Sequence, residues 1–113
     1  MHEYGITESV VTAVTERMPG VPIACVRLEI GSLSGVSADS VRFYFGPATE
    51  GTSLEGARLE ISEVAARCRC ASCGQEFEPD GPIPLCPCGS PDAAVLSGGD
   101  MLILSVEKAQ APG

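Results

Sequence analysis

The sequence has no tryptophan, a single histidine and only 4% aromatic residues. Hydrophobic residues nevertheless make up 44% of the 113 residues, so any core must be mainly aliphatic. Basic residues are also scarce: 7 Lys and Arg stand against 15 Asp and Glu, which gives a formal charge of -8. A chain with this charge is repelled by phosphate backbones. The composition therefore argues against nucleic acid as the main ligand.

Long hydrophobic stretches are absent as well. No apolar run in the sequence approaches the roughly 20 residues that a helix needs to cross a bilayer. The first residues do not combine a basic segment with an apolar one, as a secretory signal does. We therefore expect no membrane span, a cytoplasmic location and a single domain with at most a small appendage.

Two helices are predicted from the apolar spacing and the capping residues. Ile6, Val10 and Val14 recur every four residues, which predicts an amphipathic helix over residues 6–18 that ends at Pro19 and Gly20. Ser37 is a suitable N-cap for a second helix. The Gly-Pro pair at positions 46 and 47 should stop or kink that helix.

Three strands are predicted around these helices. Residues 24–31 and 57–65 alternate between apolar and polar side chains, as strands with one covered face do. A third strand is expected from Asp100 to Glu107, and its run from Met101 to Leu104 is apolar on both faces, as in a central strand. The predicted fold is α/β (α+β), with two helices on a three-stranded mixed sheet.

Residues 66–97 interrupt this pattern with many Cys, Pro and Gly residues and few long aliphatic ones. We interpret them as an inserted zinc-ribbon-like lobe, because a segment of this size cannot bury enough surface to fold without a metal or a cross-link. The predicted domains are therefore 1–65 plus 98–113 for the α/β body and 66–97 for the lobe.

Five of the six cysteines lie between Cys68 and Cys88. Without an export signal the compartment is expected to be reducing, where disulfides seldom persist and clustered thiols bind metal. The alternative, a set of disulfides, would require export and would leave the five clustered thiols unevenly paired. The predicted ligands of a closed, structural zinc site are Cys70, Cys73, Cys86 and Cys88.

The spacing of the two pairs differs. Gly74 completes a Cys-x-x-Cys-Gly turn, in which glycine accepts the positive φ that lets N–H groups approach sulfur. The second pair is Cys-x-Cys and demands a tighter turn. A ligand set with Cys68 in place of Cys73 remains open, as does iron–sulfur or redox use. Cys25 lies in a predicted strand and is interpreted as a small buried hydrophobe.

The N-terminus is a second candidate metal site. A bulky residue at position 2 is expected to block removal of Met1, which leaves a free α-amine beside the His2 imidazole. These groups, the intervening amide nitrogen and the Glu3 amide nitrogen can present four nitrogens in a plane, which suits Ni(II) or Cu(II). Affinity should rise with pH as the amine and the imidazole lose their protons. The alternative is an exposed terminal histidine without a role.

Taken together, these features resemble the HypA/HybF family of hydrogenase maturation nickel metallochaperones. The resemblance is carried by Met1-His2-Glu3, the Cys-x-x-Cys and Cys-x-Cys insert before a last apolar strand, Val-Arg-Leu-Glu-Ile-Gly at 26–31 and Glu-Gly-Thr at 50–52. It spans nearly the whole chain. The Cys-x-Cys pair departs from the family's usual second Cys-x-x-Cys.

The resemblance implies that Met1, His2 and Glu3 hold Ni(II) as cargo and that four cysteines hold structural Zn(II). It further implies a maturation GTPase as partner and delivery of nickel to the large subunit of [NiFe]-hydrogenase, with urease as a recipient in some relatives. We expect a monomer or weak homodimer.

Two other classes of function are alternatives to a nickel carrier. A zinc-ribbon interaction module without a nickel role would explain the cysteines but would make His2 accidental. A thiol oxidoreductase using Cys70 and Cys73 would need a thioredoxin-like strand-to-helix context, but the flanks here are rich in Gly and Pro. The sequence contains no second histidine to act as a base, so we predict that the protein is not an enzyme.

Overall fold

The computed structural model describes residues 2–110, and for His2 it describes the backbone alone. The elements over this range follow one another in the order α1 (His2–Arg17), β1 (Ile23–Gly31), α2 (Ala38–Thr49), β2 (Arg58–Val64), β3 (Arg67–Cys70), β4 (Glu76–Phe77), β5 (Ala93–Ser97) and β6 (Met101–Lys108). In this part of the chain, neither helix has both the length and the apolarity that crossing a membrane requires.

The first sheet has the strand order β2-β1-β6. The Ser32 N–H donates to Val64 O, which places the ends of β1 and β2 side by side and makes these two strands parallel. The Gly31 N–H donates to Asp100 O, so the end of β1 meets the start of β6 and this pair is antiparallel. The predicted mixed three-stranded sheet is therefore confirmed.

The prediction that the last strand is central was wrong. β6 lies at an edge of the sheet, and Leu102, Ile103 and Leu104 remain 48%, 40% and 53% exposed. The central position belongs to β1, where Cys25, Val26 and Leu28 are at most 1% exposed. An apolar run shows only that a strand can be buried. Its position in the sheet depends on which distant strands pair with it, and the run carries no information about that.

The helices extend beyond their predicted bounds. α1 starts at His2 rather than at residue 6. Ser37 caps α2 as predicted, since its Oγ accepts a hydrogen bond from the Ser40 N–H at 3.2 Å. The helix does not stop at Pro47 but runs on to Thr49. A proline in the last turn removes only one N–H donor, and Thr49 itself is held by its hydroxyl, which donates to Gly46 O at 3.0 Å.

The chain forms two compact units. The first contains the described residues up to Leu28, Ser37–Ser62 and the described residues from Ile103 onward. Its two helices pack against each other, and the Tyr4 and Tyr44 rings meet edge to face with centroids 5.3 Å apart. Its core is aliphatic except for one phenylalanine, two threonines and a cysteine; the buried residues are Thr7, Val10, Val11, Val14, Ile23, Cys25, Val26, Leu28, Ala38, Val41, Phe45, Thr49 and Leu54.

The second unit contains Glu29–Val36 and Glu63–Leu102. Its sheet has the order β4-β3-β5, and β3 pairs antiparallel with both neighbours. These three strands lie between β2 and β6 in the chain, so the predicted insertion of a cysteine-containing lobe into the first sheet is confirmed. The lobe has a small core formed by Cys68, Cys70, Phe77 and Cys86.

Candidate metal centre

The first cysteine pair lies on a tight turn that follows β3. The Gly74 N–H donates to Cys70 O at 2.9 Å, and Gly74 has the predicted positive φ, at 76°. This backbone brings the Cys73 N–H to 3.4 Å from the Cys70 Sγ. A residue with a Cβ would be strained at this φ, so glycine allows the turn to direct a donor at sulfur.

The second pair forms a similar turn although its spacing is one residue shorter. The Gly89 N–H donates to Cys86 O at 2.8 Å, with φ of 96° at Gly89. The Cys88 N–H lies 3.5 Å from the Cys86 Sγ. Cys-x-Cys-Gly therefore reaches the geometry of the longer motif, because its glycine follows the second cysteine just as Gly74 does.

Hydrogen bonds join the two turns next to the sulfurs. The Ala71 N–H donates to Asp92 O at 2.8 Å, and the hydroxyls of Ser72 and Ser90 lie 3.0 Å apart. The Cys70 and Cys88 Sγ atoms are 3.6 Å apart, and those of Cys73 and Cys86 are 3.7 Å apart. The structure thus brings the four predicted cysteines together, with all four sulfurs within 4.8 Å of one another.

These distances fit one metal ion rather than disulfides. A disulfide joins its sulfurs at about 2.05 Å, far shorter than the separations here. A tetrahedral zinc ion with Zn–S bonds of about 2.3 Å separates its sulfurs by about 3.8 Å. The four residues could therefore hold a metal ion such as zinc. Cys68 is not one of this group but points into the core of the lobe, where it is fully buried.

The sulfur cluster has a buried side and an exposed side. Cys70 and Cys86 are 1% and 2% exposed and belong to the core of the lobe. Cys73 and Cys88 are exposed to solvent. A metal held by all four would therefore contact apolar packing on one side and face water on the other.

Without metal, hydrogen bonds and burial shift the pKa values of the Cys70 and Cys86 thiols in opposite directions. The Cys73 N–H is the main cause that lowers the pKa of the Cys70 thiol to about 6, against the opposing effect of burial. At Cys86 the largest single influence, the Cys88 N–H, lowers the pKa, but burial and the neighbouring sulfurs together raise it to about 12. Metal binds the thiolate form of cysteine, so loading with metal must release a proton from every cysteine that is still a thiol.

The N-terminal candidate site lies largely outside the described residues. Met1 and the His2 side chain are not described, whereas Glu3 lies in the first turn of α1 and is partly buried. The Glu3 carbonyl accepts a hydrogen bond from the Thr7 hydroxyl at 2.6 Å. N–H groups in the first turn of a helix have no intrahelical acceptor, so this helix start does not use the Glu3 amide nitrogen that the sequence analysis assigned to a metal.

A contact to the sulfur cluster from far upstream in the chain was missed by the sequence analysis. Leu33, in the loop between β1 and α2, packs against the core that contains Cys70 and Cys86. Its neighbours in the chain are Ser and Gly residues, so it belongs to no apolar pattern. No local pattern marks a single leucine as the partner of a distant cysteine cluster.

Comparison with known proteins gives a consistent result over nearly the whole chain. Residues 1–108 match the family model described as "Hydrogenase/urease nickel incorporation, metallochaperone, hypA". The hydrogenase maturation factor HypA of Nostoc punctiforme is 44% identical over 107 residues, covering 95% of both chains. HypA of Geobacter metallireducens is 44% identical over 108 residues, covering 95% of this chain and 98% of the relative.

Two solved structures have the same fold. The Ni metallochaperone HypA from Helicobacter pylori aligns with a TM-score of 0.63 and 21% identity, covering 94% of this chain and 96% of the other. A second solution structure, of a HypA protein, aligns with a TM-score of 0.65 and 23% identity, covering 96% and 97%.

Proposed function

Because the chain belongs to the HypA family, a family of metallochaperones rather than enzymes, we propose that it binds Ni(II) at its N-terminus and delivers it during [NiFe]-hydrogenase maturation. The main support is the family match, which begins at residue 1 and therefore includes the Met1-His2-Glu3 start. The proposed nickel ligands are Met1, His2 and Glu3, with the ion as cargo.

Zinc has a different role in this proposal. Cys70, Cys73, Cys86 and Cys88 would hold Zn(II) in an all-sulfur site, which serves as a structural cross-link because no coordination position is left open. The division into a nickel-binding body, 1–65 plus 98–113, and a zinc lobe, 66–97, follows from these two assignments. The sulfur distances and the donating N–H groups at Cys73 and Cys88 support the zinc assignment.

Nickel binding is assigned to nitrogen donors that only an unextended N-terminus offers. The α-amine, the His2 imidazole and amide nitrogens match the preference of Ni(II) for nitrogen in a square-planar arrangement. The start of α1 at His2 leaves the first-turn amides without intrahelical acceptors. The proposed nickel site therefore differs in its donor atoms from the all-thiolate set, whose soft sulfur donors favour zinc.

Isothermal titration with Ni(II) tests the nickel site in the zinc-loaded full chain. A short peptide fused ahead of Met1 should abolish high-affinity binding, because it converts the α-amine into an amide. The same peptide fused after Gly113 is the matched control and should leave binding intact. His2→Ala should also abolish it. Equal affinities in all of these proteins would rule out the proposed nickel site.

Delivery is tested separately from binding. The proposed partners are a maturation GTPase and the large subunit of [NiFe]-hydrogenase, within the cytoplasm, with urease as a further recipient. A bacterial strain that lacks its own family member, grown in low nickel, should regain hydrogenase activity with the wild-type chain and not with His2→Ala. Urease activity measured in the same cells distinguishes the two recipients, and full rescue by His2→Ala would contradict the proposal.

A further inference from the structure

The loop after β1, residues 32–36, belongs to the same compact unit as the sulfur cluster. It precedes the lobe in the chain by the whole of α2 and β2. Leu33 nevertheless packs on the core formed by Cys68, Cys70, Phe77 and Cys86, which includes the two buried cysteines of the sulfur cluster. The core that contains Cys70 and Cys86 is thus completed in part by a residue from outside the lobe.

Backbone hydrogen bonds hold this loop to both connections of the lobe. The Ser32 N–H donates to Val64 O at 2.9 Å, and the Ser32 hydroxyl accepts from the Ala66 N–H at 2.9 Å. On the other connection, the Leu33 N–H donates to Gly98 O at 3.0 Å. The segment that enters the lobe is therefore hydrogen-bonded to Ser32, and the segment that leaves it is hydrogen-bonded to Leu33.

Two glycines make this close approach possible. A Cβ on Gly31 would collide with the backbone of Gly98. Gly98 itself has a φ of 77°, and a Cβ there would lie 2.5 Å from the Ala66 Cα. The backbones at these three positions therefore lie in direct contact, with no space for a side chain between them.

We propose that Leu33 is a positioning residue that covers the buried side of the four-sulfur site and slows the exchange of its metal. This inference rests on the proposal that these sulfurs hold zinc. Loss of the ion requires its thiolates to be protonated or displaced, and water that reaches Cys70 and Cys86 promotes this step. The apolar shell around a metal site controls such access. Leu33 supplies this shell on one side, and the exposed side at Cys73 and Cys88 is the route by which the ion leaves.

The test is the rate at which a chelator removes zinc from the full chain. Protein loaded with one equivalent of zinc is mixed with excess 4-(2-pyridylazo)resorcinol, and the colour of the zinc complex is followed. Leu33→Ala should release zinc about tenfold faster than wild type, in line with the effect of other residues that surround metal ligands. Leu33→Val should lie between the two, and Leu33→Met, which can fill the same space, should stay close to wild type.

Ile83→Ala is the control for a general effect of removing an aliphatic side chain from the lobe. Ile83 is 65% exposed and is not one of the residues that form or pack against the core around Cys70 and Cys86. Its release rate should equal that of wild type. The absorption spectra of the cobalt-substituted proteins should keep their thiolate-to-metal bands in every Leu33 variant, because these substitutions change the packing around the site and leave the four cysteine ligands in place.

The possible results test the zinc assignment and the role of Leu33 separately. A wild-type chain that binds no stoichiometric zinc would overturn the zinc assignment. Stoichiometric zinc with equal release rates across the Leu33 series, or with equal acceleration in Ile83→Ala, would overturn the role of Leu33 alone. If Leu33→Ala fails to fold by its amide NMR spectrum, the comparison of Leu33→Val with Leu33→Met decides, and equal rates in that pair overturn the proposal.

Discussion

The guanidinium of Arg27 donates from Nε to a carboxylate oxygen of Glu60 at 2.9 Å and from an Nη atom to Glu107 at 3.1 Å. Arg27 lies on the central strand β1, whereas Glu60 and Glu107 lie on the outer strands β2 and β6. A single side chain therefore joins all three strands on one face of the sheet. The alternation of apolar and polar residues over 24–31 and 57–65 had predicted only strands with one covered face.

Glu60→Gln should lower the stability of the first unit in a pH-dependent way. Hydrogen bonding to Arg27, followed by that to Arg58, lowers the pKa of the Glu60 carboxyl below its usual range. A lowered pKa contributes stability at pH values above the usual carboxyl range, and this stability is lost as the pH falls through the lowered pKa. The deficit of Glu60→Gln should therefore be modest near pH 7 and vanish in acid.

Urea unfolding followed by tyrosine fluorescence measures this effect, since Tyr4 and Tyr44 are the only tyrosines and both lie in the first unit. Glu16→Gln, on an exposed position of α1, is the matched control and should show no such trend. A Glu60→Gln deficit that grows as the pH falls would contradict the assigned direction of the pKa.

Leu28→Ala should strongly destabilise the first unit. Leu28 is 1% exposed on the central strand, and removing a buried leucine side chain costs about 2–5 kcal/mol. Leu104→Ala makes the same chemical change at a site that is 53% exposed and should cost less than about 1 kcal/mol. Equal losses in the free energy of unfolding would mean that β6 is covered in solution and that its exposure has been misjudged.

Gly98→Ala should disturb the second unit far more than Gly35→Ala does. Both glycines have nearly the same φ, 77° and 76°, so both substitutions carry the strain of a left-handed conformation, about 1–2 kcal/mol. Only at Gly98 does the added Cβ also meet backbone, the Ala66 Cα at 2.5 Å, whereas Gly35 faces open space. Thermal unfolding of the two zinc-loaded variants should give a clearly lower Tm for Gly98→Ala. Similar values would show that the crowding is relieved at little cost.

Zinc content should distinguish the two ligand sets that the sequence left open. Cys70→Ser and Cys73→Ser should lose zinc and unfold the lobe, because a structural zinc contributes on the order of 10 kcal/mol to a small metal domain. Cys68→Ser should retain one zinc per chain, since Cys68 lies outside the four-sulfur group. Elemental analysis of the purified variants measures this. A zinc-free Cys68→Ser together with a zinc-loaded Cys73→Ser would assign the site to the alternative set.

Much of the local structure follows from local chemistry. The spacing of Val10 and Val14 placed α1, and the Ser37 hydroxyl marked the start of α2 correctly. Gly74 was expected at a positive φ and has one. In each case a few neighbouring residues decide the outcome through backbone sterics or a short-range hydrogen bond, so the pattern in the chain is sufficient.

The main error concerns a strand whose partner is distant in the chain. The apolar run Met101–Leu104 was taken for a central strand, but β6 pairs only with β1 in the described sheet. Pro47 was expected to stop or kink α2, and yet the helix runs through it to Thr49. The position of β6 depends on pairing with a distant strand, whereas Pro47 is tolerated for a local reason, since it lies in the last turn of α2.

By itself the sequence determined the two turns that carry the cysteines, the start of α2 and the family to which the chain belongs, because these depend on short motifs and on backbone conformations that few residue types allow. Only the tertiary structure decided that Cys70 and Cys86 are buried while Cys73 and Cys88 face solvent, and that Leu33 packs against the core to which the buried pair belongs. Burial depends on which segments meet across the fold, and that meeting is fixed by packing and backbone pairing between residues far apart in the chain.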